Sequence, residues 1–371
     1  MTIVDHRLVR RALTSSLVGS LTAPHGVDRY LELVDPRWTV NEVRGRVERV
    51  WRQTPTSTTL TLALNGAWAG HAAGQFVRVG AFVDGTLHTR CYSIETPPSG
   101  AGATTIEITV GAHPDGTLSP HLAHDVRPGA VLRLSQAEGD FTLPAELPAS
   151  VVLLAAGTGI TPLMGMVRTL CADGRIADVD VTLVAYAATP VDHLHTAELE
   201  RLAASNPRLR VVRGCTDAPG TAELDGLFHA GHLAEVAPTW SSAELFTCGP
   251  TAFMAAVAEV VDAAGATDRF HTEAFAPAFV LPPPDGATTG TITFAASDRH
   301  ADDISTSVLE AAEAVGLRPA HGCRMGICHT CTRTKLAGCV RDLRTGDVSG
   351  PEAADIQICV SAPVGDVVVD L

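Results

Sequence analysis

Along residues 1–42 apolar positions recur at helical spacing, through Leu8, Val9, Ala12, Leu13, Leu17, Val18 and Leu21, with Arg7, Arg10 and Arg11 on or near the opposite side. This predicts an amphipathic helix in an N-terminal extension, expected to pack on the next domain, with contact to a bilayer or a membrane partner as the alternative. From residue 43 to about 143 the pattern shifts to short alternating strands, such as 58–64 and 105–110, separated by Gly, Pro and Asp. That spacing predicts an antiparallel β-barrel over residues 43–145. Residues 146–280 alternate apolar strands (151–155, 179–185, 244–247, 270–275) with helices, as a parallel nucleotide-binding sheet does. A proline-rich linker, 281–288, carries Pro282, Pro283 and Pro284 and separates what flanks it. Strand 291–294, a helix over 305–315 and a last strand over 367–371 then predict a small α+β domain, 289–371.

Charge and cysteine usage narrow this picture. A formal charge of −14 and a pI near 5.5 argue against nucleic acid and strongly anionic membrane as general partners, and suit a basic docking face. The cysteine count of 9 is odd, so one thiol is left over from any all-disulfide scheme, and a reducing cytoplasm is expected. Residues 151–167 form the most apolar run, broken by Gly157, Gly159, Pro162 and Gly165, and the N-terminus lacks a signal-peptide core. Lys335 is the single lysine, a bias ascribed to codon composition.

The sharpest chemistry lies in Gly322-Cys323-Arg324-Met325-Gly326-Ile327-Cys328-His329-Thr330-Cys331. Four residues and then two separate the cysteines, the spacing of a plant-type 2Fe-2S site, with zinc the lesser alternative. Gly322 and Gly326 let the loop curl so that amides approach the sulfurs. Within the barrel, Arg90-Cys91-Tyr92-Ser93-Ile94 would place Arg90, Tyr92 and Ile94 on one strand face, where an arginine can clamp a pyrophosphate and a tyrosine can line a ring. The turn Asp115-Gly116-Thr117-Leu118-Ser119-Pro120 leads towards a helix, with Ser119 as N-cap and Pro120 as first helical residue, an end that attracts phosphate. After the first parallel strand, Gly157, Thr158, Gly159 and Thr161 allow a dinucleotide close to the backbone, although Pro162 replaces the third glycine of the full pattern. No basic residue directly follows the second strand, which favours NADH over NADPH, while Arg213 on a later strand argues the other way. Cys248 stands at a strand end where a nicotinamide would lie.

This order resembles the ferredoxin–NADP reductase superfamily in the arrangement with a C-terminal plant-type ferredoxin domain. The resemblance implies a multidomain fold: an antiparallel β-barrel flavin domain, an α/β nucleotide-binding domain with a parallel sheet, and an α+β, β-grasp-like ferredoxin domain. It implies that Arg90, Tyr92 and Ser93 contact FAD, with Ser93 near the flavin N5. Gly116, Thr117, Leu118 and Ser119 become the flavin phosphate loop, and Gly157, Thr158, Gly159 and Thr161 the NAD(P)H loop. Cys248, Gly249 and Pro250 flank the nicotinamide, and Glu273 and Phe275 approach the flavin. Ser93, Cys248 and Glu273 are the implied catalytic residues. A long gap before the last ligand selects Cys359 rather than Cys339 to complete Cys323, Cys328 and Cys331. The N-terminal phrase Asp28-Arg29-Tyr30-Leu31 with Asp35-Pro36-Arg37-Trp38, and the cluster phrase through His329-Thr330-Cys331, resemble bacterial reductases that supply membrane-bound fatty-acyl desaturases and related di-iron hydroxylases. Electrons would pass from NAD(P)H through the flavin and the cluster to a terminal oxygenase or desaturase, with the protein a monomer. The alternatives are service to a cytochrome P450 or Rieske oxygenase, direct flavin reduction of a small acceptor, and an iron-sulfur redox sensor.

Overall fold

The computed structural model describes residues 7–23, 25–98, 105–114, 116–274, 290–302, 307–321, 326, 329–343 and 346–371. These form two compact units, Met1–Glu273 and Ala274–Leu371.

The first unit opens with three short helices, Arg7–Leu13, Ser16–Leu21 and Gly26–Leu31, in place of the expected continuous one. Ser15 interrupts the periodicity: its hydroxyl accepts from the Val18 N–H and starts a new helix. The third helix ties the extension to the barrel, since Asp28 takes the N–H groups of Val40 and Asn41 and Glu32 pairs with Arg44.

Six strands follow: β1 (Val43–Arg52), β2 (Ser57–Leu64), β3 (Phe76–Val83), β4 (Thr86–Ser93), β5 (Thr105–Gly111) and β6 (Val131–Leu134). Their order in the sheet is β4-β3-β6-β1-β2-β5, and neighbouring strands run antiparallel. Alternating residues such as Val47, Leu60, Leu62, Val77, Ile106 and Ile108 fill its interior. The two edge strands meet just past β4, where the Glu95 N–H donates to the Glu107 carbonyl at 2.9 Å. That bond closes the sheet into a half-barrel.

The second sheet uses β7 (Ser150–Ala156), β8 (Asp180–Ala187), β9 (Leu209–Cys215), β10 (Leu224–Asp225), β11 (Glu244–Gly249) and β12 (Phe270–Ala274) in the order β10-β9-β8-β7-β11-β12. Strands β7 to β11 pair in parallel and are buried on both faces, so they read as near-continuous apolar runs. The order reverses between β7 and β11, and ligands bind such sheets at that switch point. Helices Ile160–Ala172 and Thr251–Ala263 leave from those two strands.

In the second unit, β13 (Thr291–Phe294), β14 (Arg299–Asp302), β15 (Thr332–Asp342), β16 (Ala354–Gln357) and β17 (Ser361–Val369) form a mixed sheet ordered β14-β13-β17-β15-β16. Helix Val308–Ala314 packs its apolar face into the same core, and Ser307 and Glu310 close its start as a capping box. The linker 281–288 and Phe275 lie outside the described residues.

Candidate active site

Ser93 ends β4, is buried, and donates its hydroxyl to Glu273 Oε2 on β12 at 3.5 Å. Burial pushes the Glu273 carboxyl up to about 8, with the Ser93 hydrogen bond working in the opposite direction. Near neutral pH, Glu273 therefore holds a proton. Cys248 on β11 is fully buried, and burial, followed by the charge of Glu273, drives its thiol well above the usual range. It is an un-ionised packing group rather than a thiolate. Three residues from three strands of two different sheets thus share one neighbourhood.

On the barrel side Tyr92 pairs with Val77 and Arg90 with Val79 across β3. The Tyr92 hydroxyl is buried without a protein partner among the described residues, and burial pushes its pKa up. A buried phenol in this position invites a ligand. The Arg90 guanidinium donates to the Thr89 carbonyl at 2.8 Å. One expectation is corrected here. The helical turn starts at Leu118, before Pro120, and Ser119 lies inside it instead of capping it. Its hydroxyl accepts the His113 N–H at 3.1 Å, so the serine stitches the turn 113–119 together. A Cβ on Gly116 would fall 2.8 Å from that same hydroxyl. Asp115 lies outside the described residues.

The nucleotide loop leaves β7 with Gly157 at φ +56°, a conformation that suits glycine. Gly159 lies so close to β11 that a Cβ would come within 2.1 Å of the Cys248 carbonyl. Thr161, also buried, donates to the Thr158 carbonyl at 3.0 Å. The barrel touches this loop too, since a Cβ on Gly111 would meet the Thr158 methyl at 2.7 Å. Gly249 is constrained by Phe253 in the same manner, and Pro250 precedes the helix from Thr251.

In the second unit the sulfurs of Cys331 and Cys359 stand 3.2 Å apart, buried and not joined as a disulfide. Strand pairing explains the meeting: Thr332 pairs with Gln357, so the residues just outside β15 and β16 face each other. Cys339 sits opposite Val364, about 25 Å along the strand from Cys331 at the usual rise per residue. Cys323 and Cys328 lie outside the described residues.

Two groups of residues gave no sequence signal. Glu95 and His195, both buried, and the largely buried Arg168 form a polar cluster between the barrel and the parallel sheet. Lys335, fully buried, donates to the carbonyls of Gly338, Gly350 and Glu352 at 2.7, 2.8 and 2.5 Å. A buried polar residue at an otherwise ordinary position has no periodic signature from which to read its partner.

Residues 153–259 match the oxidoreductase NAD-binding domain, and residues 296–364 the 2Fe-2S iron-sulfur cluster binding domain. An NADPH oxidoreductase of Mycobacterium tuberculosis is 38% identical over 358 residues, spanning 96% of this chain and 91% of that protein. The glycine betaine monooxygenase reductase subunit of Chromohalobacter salexigens is 32% identical over 322 residues, 80% of this chain and 86% of the relative. Phthalate dioxygenase reductase superposes with a TM-score of 0.60 at 21% identity, covering 88% of this chain and 97% of that structure. With a half-barrel, a parallel sheet reversed at its glycine loop and a C-terminal 2Fe-2S domain in one chain, this protein belongs to the ferredoxin–NADP reductase superfamily, in the branch of oxidoreductases that carry a fused 2Fe-2S ferredoxin domain.

Proposed function

We propose that the chain is an NAD(P)H-dependent reductase that holds FAD on the half-barrel and a 2Fe-2S cluster in its second unit, and supplies electrons to a partner oxygenase or desaturase. The carrying observation is the convergence of Ser93, Cys248 and Glu273 beside the sheet's switch point. Arg90, Tyr92 and the turn Gly116, Thr117, Leu118 and Ser119 would hold the flavin, with Phe275 nearby. The partnerless Tyr92 hydroxyl fits a ligand oxygen. Gly157, Thr158, Gly159 and Thr161 would hold the dinucleotide, and Cys248, Gly249 and Pro250 would flank its nicotinamide. Cys331 and Cys359 would hold the cluster together with Cys323 and Cys328. Two buried thiols side by side without a disulfide fit a shared iron.

When bound, the flavin supplies conversion of two-electron hydride delivery into single-electron release, and the cluster supplies a one-electron exit. The chain's own work is positional. Ser93 and protonated Glu273 place a hydrogen-bonded pair at the barrel edge, where Glu273 keeps a proton available without adding a negative charge. Cys248 packs without charge, and the missing Cβ of Gly159 lets the loop close against β11.

A Cys323→Ser variant tests the order of events: flavin bleaching by NADH should persist while cytochrome c reduction disappears. Loss of both in a folded protein would sink the relay. NADH is the preferred donor, because the Arg213 guanidinium is held by Glu200 at 2.8 Å rather than left for a 2'-phosphate. The mycobacterial relative is named for NADPH, so kcat/KM measured with both nucleotides decides the matter. The reductases of glycine betaine monooxygenase and of 3-ketosteroid-9-alpha-monooxygenase support an oxygenase as acceptor. Exposed Leu17, Leu21, Leu33 and Val34 support contact between the extension and a membrane-bound acceptor, which co-flotation with that acceptor's vesicles would reveal. Free thiols support a cytoplasmic setting, and a monomer is the proposed working form.

A further inference from the structure

Glu95 follows Ser93 by two residues, and its side chain is wholly buried. Arg168 reaches it from the helix that leaves the glycine loop. One guanidinium nitrogen donates to Glu107 Oε2 at 3.0 Å and to the Glu95 carbonyl at 3.2 Å, with Glu95 Oε2 at 3.8 Å. Its other edge grips Glu198 at 2.9 and 2.7 Å. Buried His195 adds a second crossing, with Nε2 3.3 Å from Glu95 Oε2 and its backbone N–H donating to Gln53 at 2.8 Å. Glu95, Glu107 and Gln53 belong to the half-barrel, whereas Arg168, His195 and Glu198 belong to the parallel-sheet half.

A buried ionic cluster is costly to desolvate, and an apolar contact would hold two layers together as firmly. What the cluster adds is geometry, because a planar guanidinium satisfied on both edges fixes direction as well as distance. The same helix also lies hard against the strand end, since a Cβ on Gly165 would fall 2.6 Å from the Ile94 carbonyl.

We propose that Arg168 is a positioning residue for hydride transfer: through Glu95 and Glu107 it sets the register between the Ser93 end of the barrel and the Gly157–Gly159 loop. The proposal rests on reading those two elements as the flavin and nicotinamide sites. Hydride transfer tolerates little error in this register, and a misplacement of about 1 Å costs about a hundredfold in rate.

The test uses the full-length protein loaded with FAD and cluster, mixed anaerobically with NADH or NADPH in a stopped-flow instrument. Arg168→Met should retain flavin, show a nucleotide Kd close to that of the wild type, and be bleached about a hundredfold more slowly, with loss of the long-wavelength nicotinamide–flavin band. Arg168→Lys, which keeps the charge and loses the fork, should recover only part of the rate. Glu107→Gln, which removes the charge from one barrel-side arm while leaving an amide acceptor, should slow bleaching about tenfold and carries the test if Arg168→Met does not fold. Wild-type bleaching in a folded Arg168→Met protein, or in Glu107→Gln when Arg168→Met cannot be folded, overturns the role of Arg168 alone. A wild-type protein that neither nucleotide bleaches overturns the reading of the site, and this proposal with it.

Discussion

Glu273 is the residue whose protonation most directly links stability to chemistry. Its folded value near 8 lies above the ordinary 4.5, so the folded state binds this proton more tightly than the unfolded chain. The resulting stabilisation is complete below about pH 4.5, drains away as pH rises towards about 8, and changes no further above that. Urea midpoints across this window should fall for the wild type, and Glu273→Gln should lack that component of the slope. Flavin reduction should likewise decline as pH rises through about 8 in the wild type, and stopped-flow rates for Glu273→Gln should lose this inflection. For the cluster, Cys359→Ser should lose iron and acid-labile sulfide, while Cys339→Ser should keep both, because Cys359 and not Cys339 has its sulfur beside that of Cys331. Ser93, Cys248, Glu273 and Cys359 were singled out by resemblance, and the fold brings the first three together and sets the Cys359 sulfur beside that of Cys331. Glu95 and His195 were not legible, since nothing in a linear pattern distinguishes a buried glutamate from a solvated one until its partners arrive from other strands.

At the scale of elements, period-two and period-3.6 patterns foretold the strands and the principal helices, because one-sided or two-sided burial writes itself into the residue order. The misreadings came from local competition by side chains. Ser15 splits the N-terminal helix by capping, and Ser119 turns back to the His113 N–H instead of starting a helix. Lys335 is a related case. Lysine is scarce, yet the one lysine present sits on β15 with three carbonyls around its nitrogen. A compact amine offers three donors in that space, whereas a guanidinium is broad and planar. Lys335→Met should therefore destabilise the second unit by about 3 kcal/mol or more, and Lys335→Arg should also destabilise it although it keeps the charge. Thermal unfolding followed through the cluster's visible absorbance would show both shifts, and an arginine variant as stable as wild type would contradict the packing account.

Across the whole molecule, the order of the modules was readable because each has its own pattern, alternating strands first, then strands alternating with helices, then the cysteine loop. How the half-barrel meets the parallel sheet was not readable. That meeting depends on absent side chains at Gly111 and Gly165 and on one arginine, all of which look ordinary in sequence. The net charge of −14 acts at this largest scale. Charge of one sign raises the encounter rate with an oppositely charged partner by long-range steering, and at about 0.1 M salt that field is screened over about 10 Å. A reductase that must find its acceptor repeatedly gains from steering at the encounter, while hydride transfer inside a buried site does not. The second-order rate of electron delivery to the partner oxygenase should consequently fall about tenfold or more between low and high ionic strength, with flavin reduction by NADH at saturation nearly unchanged. Equal salt dependence of the two steps would locate the effect within the reductase and remove steering as the reason for the acidic charge.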